Sequence, residues 1–136
     1  MDREALRRAV LGDPAALARL ERIVHPLVRD EERRFLAAAR RRAEPLVVLD
    51  IPLLFETRGE GRCDSVLVVT APAAVQRRRV LRRPGMTEGR FRAILARQTP
   101  DSEKRRRADH LVHTGLSRFR AQRAIRAIVQ RYRPAP

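Results

Sequence analysis

The stretch Ser65-Val66-Leu67-Val68-Val69-Thr70-Ala71-Pro72 decides how the chain is read. Its apolar run is too continuous for a half-exposed strand, whose residues would alternate, and has the pattern of a strand buried on both faces. Pro72 supplies a helical φ without needing an amide partner, so the strand passes into a helix. Working outward, Leu46-Val47-Val48-Leu49 is a second run of the same kind, placed between Pro45 and Asp50. His110-Leu111-Val112-His113 is a third, weaker one, followed by Thr114-Gly115 and a helix from about Ser117 to Tyr132. Short buried strands alternating with helices predict an α/β domain with a parallel sheet and flanking helices.

Toward the amino terminus the pattern is helical. Arg3 to Leu11 reads as a short helix that Gly12 ends. Asp13-Pro14 starts another, with Asp13 accepting from free first-turn amides. Leu17, Leu20, Ile23, Val24, Leu27 and Val28 recur at helical spacing as one apolar stripe. His25-Pro26 interrupts it, and a kink or a new helix start is expected at Pro26. A polar, basic helix follows to about Arg42. Residues 1–45 thus form a helical region and 46–136 the sheet-bearing core, with Arg133-Pro134-Ala135-Pro136 as a tail.

A chain of 136 residues, 43% of them hydrophobic, has the size and make-up of one main folding unit. No apolar stretch approaches the length that spans a bilayer, and the start Met1-Asp2-Arg3-Glu4 lacks the apolar region of a leader. Cys63 is the single cysteine, which disfavours a disulfide-stapled secreted fold and fits a reducing compartment. A cytoplasmic location is expected. The net charge of +15 comes almost wholly from arginine, Lys104 being the only lysine. Arginine's planar fork matches pairs of phosphate oxygens, so the excess suits nucleotide phosphates or a nucleic-acid backbone. An arginine-rich codon bias would explain it equally well, and composition does not choose.

In parallel α/β sheets ligands gather beyond the carboxyl ends of the strands. Asp50, Thr70 and Thr114 mark those ends. Asp50-Ile51-Pro52-Leu53-Leu54-Phe55-Glu56 is strongly apolar for a loop and is expected to line a pocket, although Leu53, Leu54 and Phe55 could equally plug the core. Gln76, Arg79 and Arg83 stand at i, i+3 and i+7 after Thr70, so one helix face could present all three to one anion. That helix is expected to stop near Pro84-Gly85. Thr87 then caps a second helix whose stripe is Phe91, Ile94 and Leu95. Two helices hinged at a glycine with inward arginines suit a phosphate-covering lid; a solvated basic face is the plainer alternative. A metal site is disfavoured, because strand spacing puts His110 and His113 on opposite faces and Cys63 has no nearby partner.

Together these blocks resemble dephospho-CoA kinase. Leu20-Glu21-Arg22-Ile23-Val24-His25-Pro26-Leu27-Val28, Asp50 to Glu56 and Cys63-Asp64 carry the resemblance in order. Gln76 to Arg79, Gly85-Met86-Thr87-Glu88, Ile94-Leu95-Ala96-Arg97-Gln98, Lys104, Ala108-Asp109 and Thr114-Gly115 continue it nearly to the end. The resemblance implies a P-loop kinase fold, here incomplete, with a helical substrate-binding region over 1–45, a partial kinase core over 46–136 and a lid at about 76–98. It implies ATP-dependent phosphorylation of the ribose 3′-hydroxyl of dephospho-CoA, with Mg²⁺. Arg79 and Arg83 would be lid arginines neutralising phosphate charge, and His25, Leu53, Leu54 and Glu56 would face the acceptor. Asp50 would orient Mg²⁺ through water, Gln76 would serve the nucleotide, and Thr114 and Gly115 would lie near the adenine.

The family's Gly-x-x-x-x-Gly-Lys-Ser/Thr loop and its aspartate base have no counterpart here, and no Gly-Lys dipeptide occurs in the sequence. Little or no kinase activity is therefore expected of this chain alone. The family's first strand lies centrally, between the runs at 46–50 and 65–70, so marginal stability or self-association through the open sheet is also expected. A late-set start, a truncated frame or a split protein would each account for this. Two rival readings remain. A basic nucleic-acid binder is suggested by Arg40-Arg41-Arg42 and Arg105-Arg106-Arg107, but the aromatics are only five and scattered, with no stacking platform. The other is a non-catalytic subunit that binds the CoA precursor.

Overall fold

The structure, a computed structural model, describes residues 13–132 together with 5, 6 and 9. The helix expected over Arg3 to Leu11 lies largely outside the described residues, as does the tail Arg133-Pro134-Ala135-Pro136. The chain divides into two compact units, Met1–Val47 and Val48–Pro136.

Helix α1 (Pro14–Arg41) makes up most of the first unit. The Asp13 carboxylate accepts from the amides of Ala15 (2.9 Å) and Ala16 (3.0 Å), which would otherwise lack partners in the first turn. Of the two outcomes expected at Pro26, a new helix start does not occur; α1 runs through it. Proline in a helix interior removes one backbone bond at a cost of about 3 kcal/mol. The intact turns on both sides, capped at each end, carry the helix across that loss. At the far end Arg42 donates its amide to the Ala38 and Ala39 carbonyls, and Ala43 turns the chain at φ 53°. The apolar stripe forms, yet Ile23, Leu27 and Val28 stay 64%, 63% and 56% exposed, so the stripe is not a core.

The second unit runs β1 (Leu67–Thr70), α2 (Ala73–Leu81), α3 (Glu88–Ala96), α4 (Asp101–Arg107), β2 (His110–His113) and α5 (Arg118–Tyr132). The two strands pair in parallel, Leu67 opposite His110 and Thr70 opposite His113. Asp109 starts the ladder: its amide donates to the Val66 carbonyl (2.9 Å) and its carboxylate accepts from the Val66 amide (2.7 Å). The three helices between the strands form the crossover that a parallel pair needs. Helix α5 packs on β2 and α4 on β1. Phe55, Val66 and Val68 form the buried cluster, with Leu54, Cys63, Ala108 and Leu111 packed against it. Val112 is fully enclosed. Tyr132, at the end of α5, donates its hydroxyl to Ser65 (2.7 Å) and lies 2.6 Å from His110 Nε2, tying that helix to the start of both strands.

Two strand expectations are corrected. Leu46-Val47-Val48-Leu49 forms no strand, and Val48 is 76% exposed. An extended run becomes a strand only when a neighbour completes its ladder, and among the described residues β1 pairs with β2 alone. Nor is β1 buried on both faces: Val68 and Thr70 are covered, whereas Leu67 and Val69 are exposed, since the burial of a face depends on what packs over it and not on an apolar run. No helix of the described residues is long and apolar enough to cross a membrane.

Candidate functional site

The carboxyl ends of β1 and β2 meet at Thr70 and Thr114. The Thr114 amide donates to the Thr70 carbonyl (2.8 Å), and the Thr114 hydroxyl donates to the same oxygen (3.2 Å). Just beyond, Gly115 and Pro72 are pressed together. A Cβ on Gly115 would stand 2.4 Å from the Pro72 ring, a separation no side chain tolerates, so glycine is required where the two strand ends turn outward. The buried Thr70 hydroxyl donates to Asp101 Oδ1 (2.8 Å), which brings the amino end of α4 to the same place. Sequence reasoning missed Asp101; its one signal was an acidic residue directly after Pro100, at a helix start.

Arg79 reaches this junction from α2. One guanidinium nitrogen donates to the Thr114 hydroxyl (3.1 Å) and the other to the Thr114 carbonyl (2.7 Å). Gln76, three residues before Arg79 on the same helix, donates its side-chain amide to the Ala71 carbonyl (2.8 Å) and braces the start of that helix. Arg83 lies beyond the end of α2, so the expected i+7 alignment with Gln76 and Arg79 is not realised. Pro84 disfavours helical geometry at the residue before it, and the chain leaves the helix there, with Gly85 at φ 71°.

The expected hairpin is formed by α2 and α3, which pack together. Glu88 bridges them, 2.7 Å from Arg77 Nη2 and 3.3 Å from Arg92 Nε. The Arg77 hydrogen bond holds the Glu88 carboxyl below the usual range and Arg92 adds to this, while Glu88 raises Arg77. Thr87 caps α3 by accepting from the Arg90 amide (3.3 Å). The Arg90 side chain donates back to the Gly85 carbonyl (2.6 Å), so the glycine turn is itself tied.

The segment after Asp50 winds into consecutive turns. The Thr57 amide and hydroxyl both donate to the Leu53 carbonyl, and the Gly59 amide donates to the Leu54 carbonyl (2.7 Å). Phe55 enters the core, Leu54 packs beside it, and Leu53 is 45% exposed. Glu56 is turned inward, where Oε1 accepts from the Thr99 amide (2.7 Å) and pairs with Lys104 Nζ (3.0 Å). Burial would raise its pKa, but hydrogen bonds from its own amide, Lys104 and the Thr99 amide outweigh this and hold the carboxyl below the ordinary range. Asp50 is exposed. His25 is exposed on α1, in the first unit. Among the described residues no three His, Cys, Asp or Glu side chains gather as a metal site. A shallow cavity of about 510 Å³ lies along α2, lined by Ala74, Val75, Arg77, Arg78, Leu81 and Arg82, on residues other than the Thr70–Thr114 junction.

Residues 1–117 match the family model for dephospho-CoA kinase. A dephospho-CoA kinase from Mesorhizobium japonicum is 57% identical over 133 residues, covering 98% of this chain and 68% of the relative. One from Paramagnetospirillum magneticum is 65% identical over 105 residues, 77% of this chain and 50% of the relative. Among solved structures, TT1252 from Thermus thermophilus superposes with a TM-score of 0.74 at 40% identity, over 98% of this chain and 68% of that one. A dephospho-CoA kinase from Campylobacter jejuni shares the fold, with a TM-score of 0.60 at 22% identity. The chain spans about half to two thirds of the length of the curated relatives it matches. The parallel strand pair with its flanking helices is the α/β arrangement of these kinases, and the chain belongs to the dephospho-CoA kinase family.

Proposed function

We propose that this chain supplies the lid and the acceptor side of a dephospho-CoA kinase, which transfers the γ-phosphoryl group of ATP to the ribose 3′-hydroxyl of dephospho-CoA. The observation that carries this is Arg79, whose forked guanidinium stands at the carboxyl ends of two parallel strands, where such folds place their ligands. Phosphoryl transfer asks little covalent chemistry of a protein and depends on positioning and charge neutralisation. Arg79, swung from Thr114 onto phosphate oxygens, neutralises charge that develops as the β–γ bridging bond breaks and the 3′-oxygen attacks. Arg83 approaches from the turn after α2 as a second, less constrained cation. Thr114 and Gly115 offer backbone contacts to the base, and Gln76 keeps α2 in position. Leu53 is the exposed acceptor-side candidate of the second unit, with Leu54 behind it, and His25 is the candidate carried by the first unit taken by itself.

Mg²⁺ is bound in phosphate sites by one or two carboxylates plus phosphate oxygens. Asp50, exposed beyond the apolar run, is a donor of the right kind to hold such an ion through water, and the ion would neutralise phosphate charge. A cradle of backbone amides with a lysine is not among these residues, since no Gly-Lys pair occurs. Turnover therefore requires that cradle from a further segment. The same reading makes the free side of β1 a surface for self-association, and it places the protein in the cytoplasm, where dephospho-CoA and ATP are its partners.

The test is direct. The chain is assayed for CoA formation from ATP and dephospho-CoA, alone and joined to the amino-terminal third of its Mesorhizobium japonicum relative. No product alone and clear turnover when joined is the expected pair of results. Inactivity of the joined protein, with a salt-sensitive shift of RNA or duplex DNA at physiological salt, would transfer the reading to a nucleic-acid binder.

A further inference from the structure

Glu56 joins two parts of the molecule that sequence reasoning kept separate. It closes the apolar turn segment Leu53–Glu56, yet its Oε1 holds the backbone amide of Thr99 at 2.7 Å, across 43 residues of chain. Thr99 follows Gln98 directly at the carboxyl root of the α2–α3 hairpin. The same oxygen pairs with Lys104 in α4 at 3.0 Å, and the two side chains are only 15% and 19% exposed. A charge-assisted bond to a backbone amide fixes chain position, which a bond to a flexible side chain does not. Removing one partner of such a covered set leaves the others unmatched, so each contact is weakened by loss of another.

The neighbourhood reinforces the joint from both sides. Arg107, also in α4, pairs with Glu60 and lies 4.6 Å over the Phe55 ring. The helix that carries Lys104 therefore also grips the residue beside Glu56. The amino root of the hairpin is held separately, by Pro72 against Gly115 and by Arg79 on Thr114.

We propose that Glu56 is a positioning residue that locks the Leu53–Glu56 segment to the carboxyl root of the hairpin through the Thr99 amide and Lys104, so that the acceptor-side turn and the arginine-bearing hairpin respond as one body. This rests on the lid reading of the hairpin for its use, but not for its existence. Glu56 touches no reacting atom; it acts through Thr99 and Lys104. The consequence is that a ligand held at either place changes amide protection at both.

Amide hydrogen exchange on the full chain, without ligand, decides whether the lock exists. In Glu56→Gln, exchange at Thr99 is expected to rise at least tenfold, with parallel rises over α3 and at Thr57 and Gly59, while Val68 and Val112 in the strands stay unchanged. Lys104→Met, which keeps the Thr99 bond, is expected to give the same pattern more weakly, and Lys104→Arg to restore it. A rise at Thr99 confined to that residue, or an equal rise that includes the strands, overturns the proposal, since the bond is then local or merely part of global stability. If Glu56→Gln fails to fold, the Lys104 pair decides by the same criteria. Adding ATP to the chain joined to the amino-terminal third of its Mesorhizobium japonicum relative, which supplies the phosphate cradle, separates the two readings: protection of residues 88–98 and 53–57 together in the wild type, lost in Lys104→Met, supports coupling. No protection by ATP anywhere counts against the lid reading, while the ligand-free comparison still stands or falls alone.

Discussion

Arg79 and Thr114 are joined by both arms of the guanidinium, one to the hydroxyl at 3.1 Å and one to the carbonyl at 2.7 Å. This links the second turn of α2 to the end of β2 across 35 residues of chain. The pair is exposed, so it holds the arginine in place without committing it. Any stronger anion that enters can take the guanidinium over.

Arg79→Ala is therefore expected to shift stability by no more than about 1 kcal/mol, the range of exposed charged contacts. Loss of a charge-assisted phosphate contact, worth about 1.5–3 kcal/mol, lowers ATP affinity by roughly ten- to a hundredfold. Calorimetric titration of the joined protein with ATP, alongside a thermal melt, checks both. Equal ATP affinity in the variant and the wild type removes Arg79 from the site.

Gly115→Ala tests the crowding where the strands end. With the Pro72 ring 2.4 Å from the added carbon, overpacking of about 1–3 kcal/mol is expected. Pro72→Ala removes the ring, and the double variant is expected to recover most of the loss. A double-mutant cycle by denaturant unfolding gives the coupling; additive losses would mean the clash is relieved elsewhere.

Acid should act through Glu56. Its carboxyl lies below the ordinary range when folded, so it contributes stability that is complete above the unfolded value of about 4.3 and is lost as pH falls through the lower folded value. Wild-type protein is expected to lose more stability than Glu56→Gln over that acid interval, and no more than it near neutrality. Parallel pH-dependent melts of the two proteins make the comparison, and superimposable curves would exclude the linkage.

The hairpin bridge predicts a local effect. Glu88→Gln weakens contacts to Arg77 and Arg92 that are largely solvent-exposed, so the melting point is expected to move little. Exchange over α3 should nevertheless rise, and wild-type protein in high salt should approach the variant's behaviour. A salt-independent difference would point away from ion pairing.

The free side of β1 gives the last prediction. Val69 is 59% exposed, and by strand alternation its backbone faces away from β2. Wild-type chain is expected to self-associate with rising concentration, and Val69→Lys to reduce this with the fold retained, because a charge on an open edge opposes strand addition. Sedimentation velocity over a concentration series measures it. A wild-type chain that stays monomeric throughout refutes the idea.

The amino-acid sequence determined every element that local chemistry can specify. Asp13-Pro14 started a helix, Thr87 capped one and Ala71-Pro72 turned strand into helix, because caps and φ restrictions act over a few residues. It also determined the family, through motifs whose spacing needs no coordinates. What only the tertiary structure decided were relations between distant residues. Leu46-Val47-Val48-Leu49 has the composition of a strand but no neighbour to complete its ladder, and Pro26 is absorbed by a helix long enough to bear it. Arg83 falls off the helix that was to carry it. Glu56 turns inward to Thr99 and Lys104, and Asp101 arrives at Thr70 from 31 residues away. A side chain's partner across such a distance is chosen by the packing of the whole unit, on which the residues flanking it in sequence carry no information.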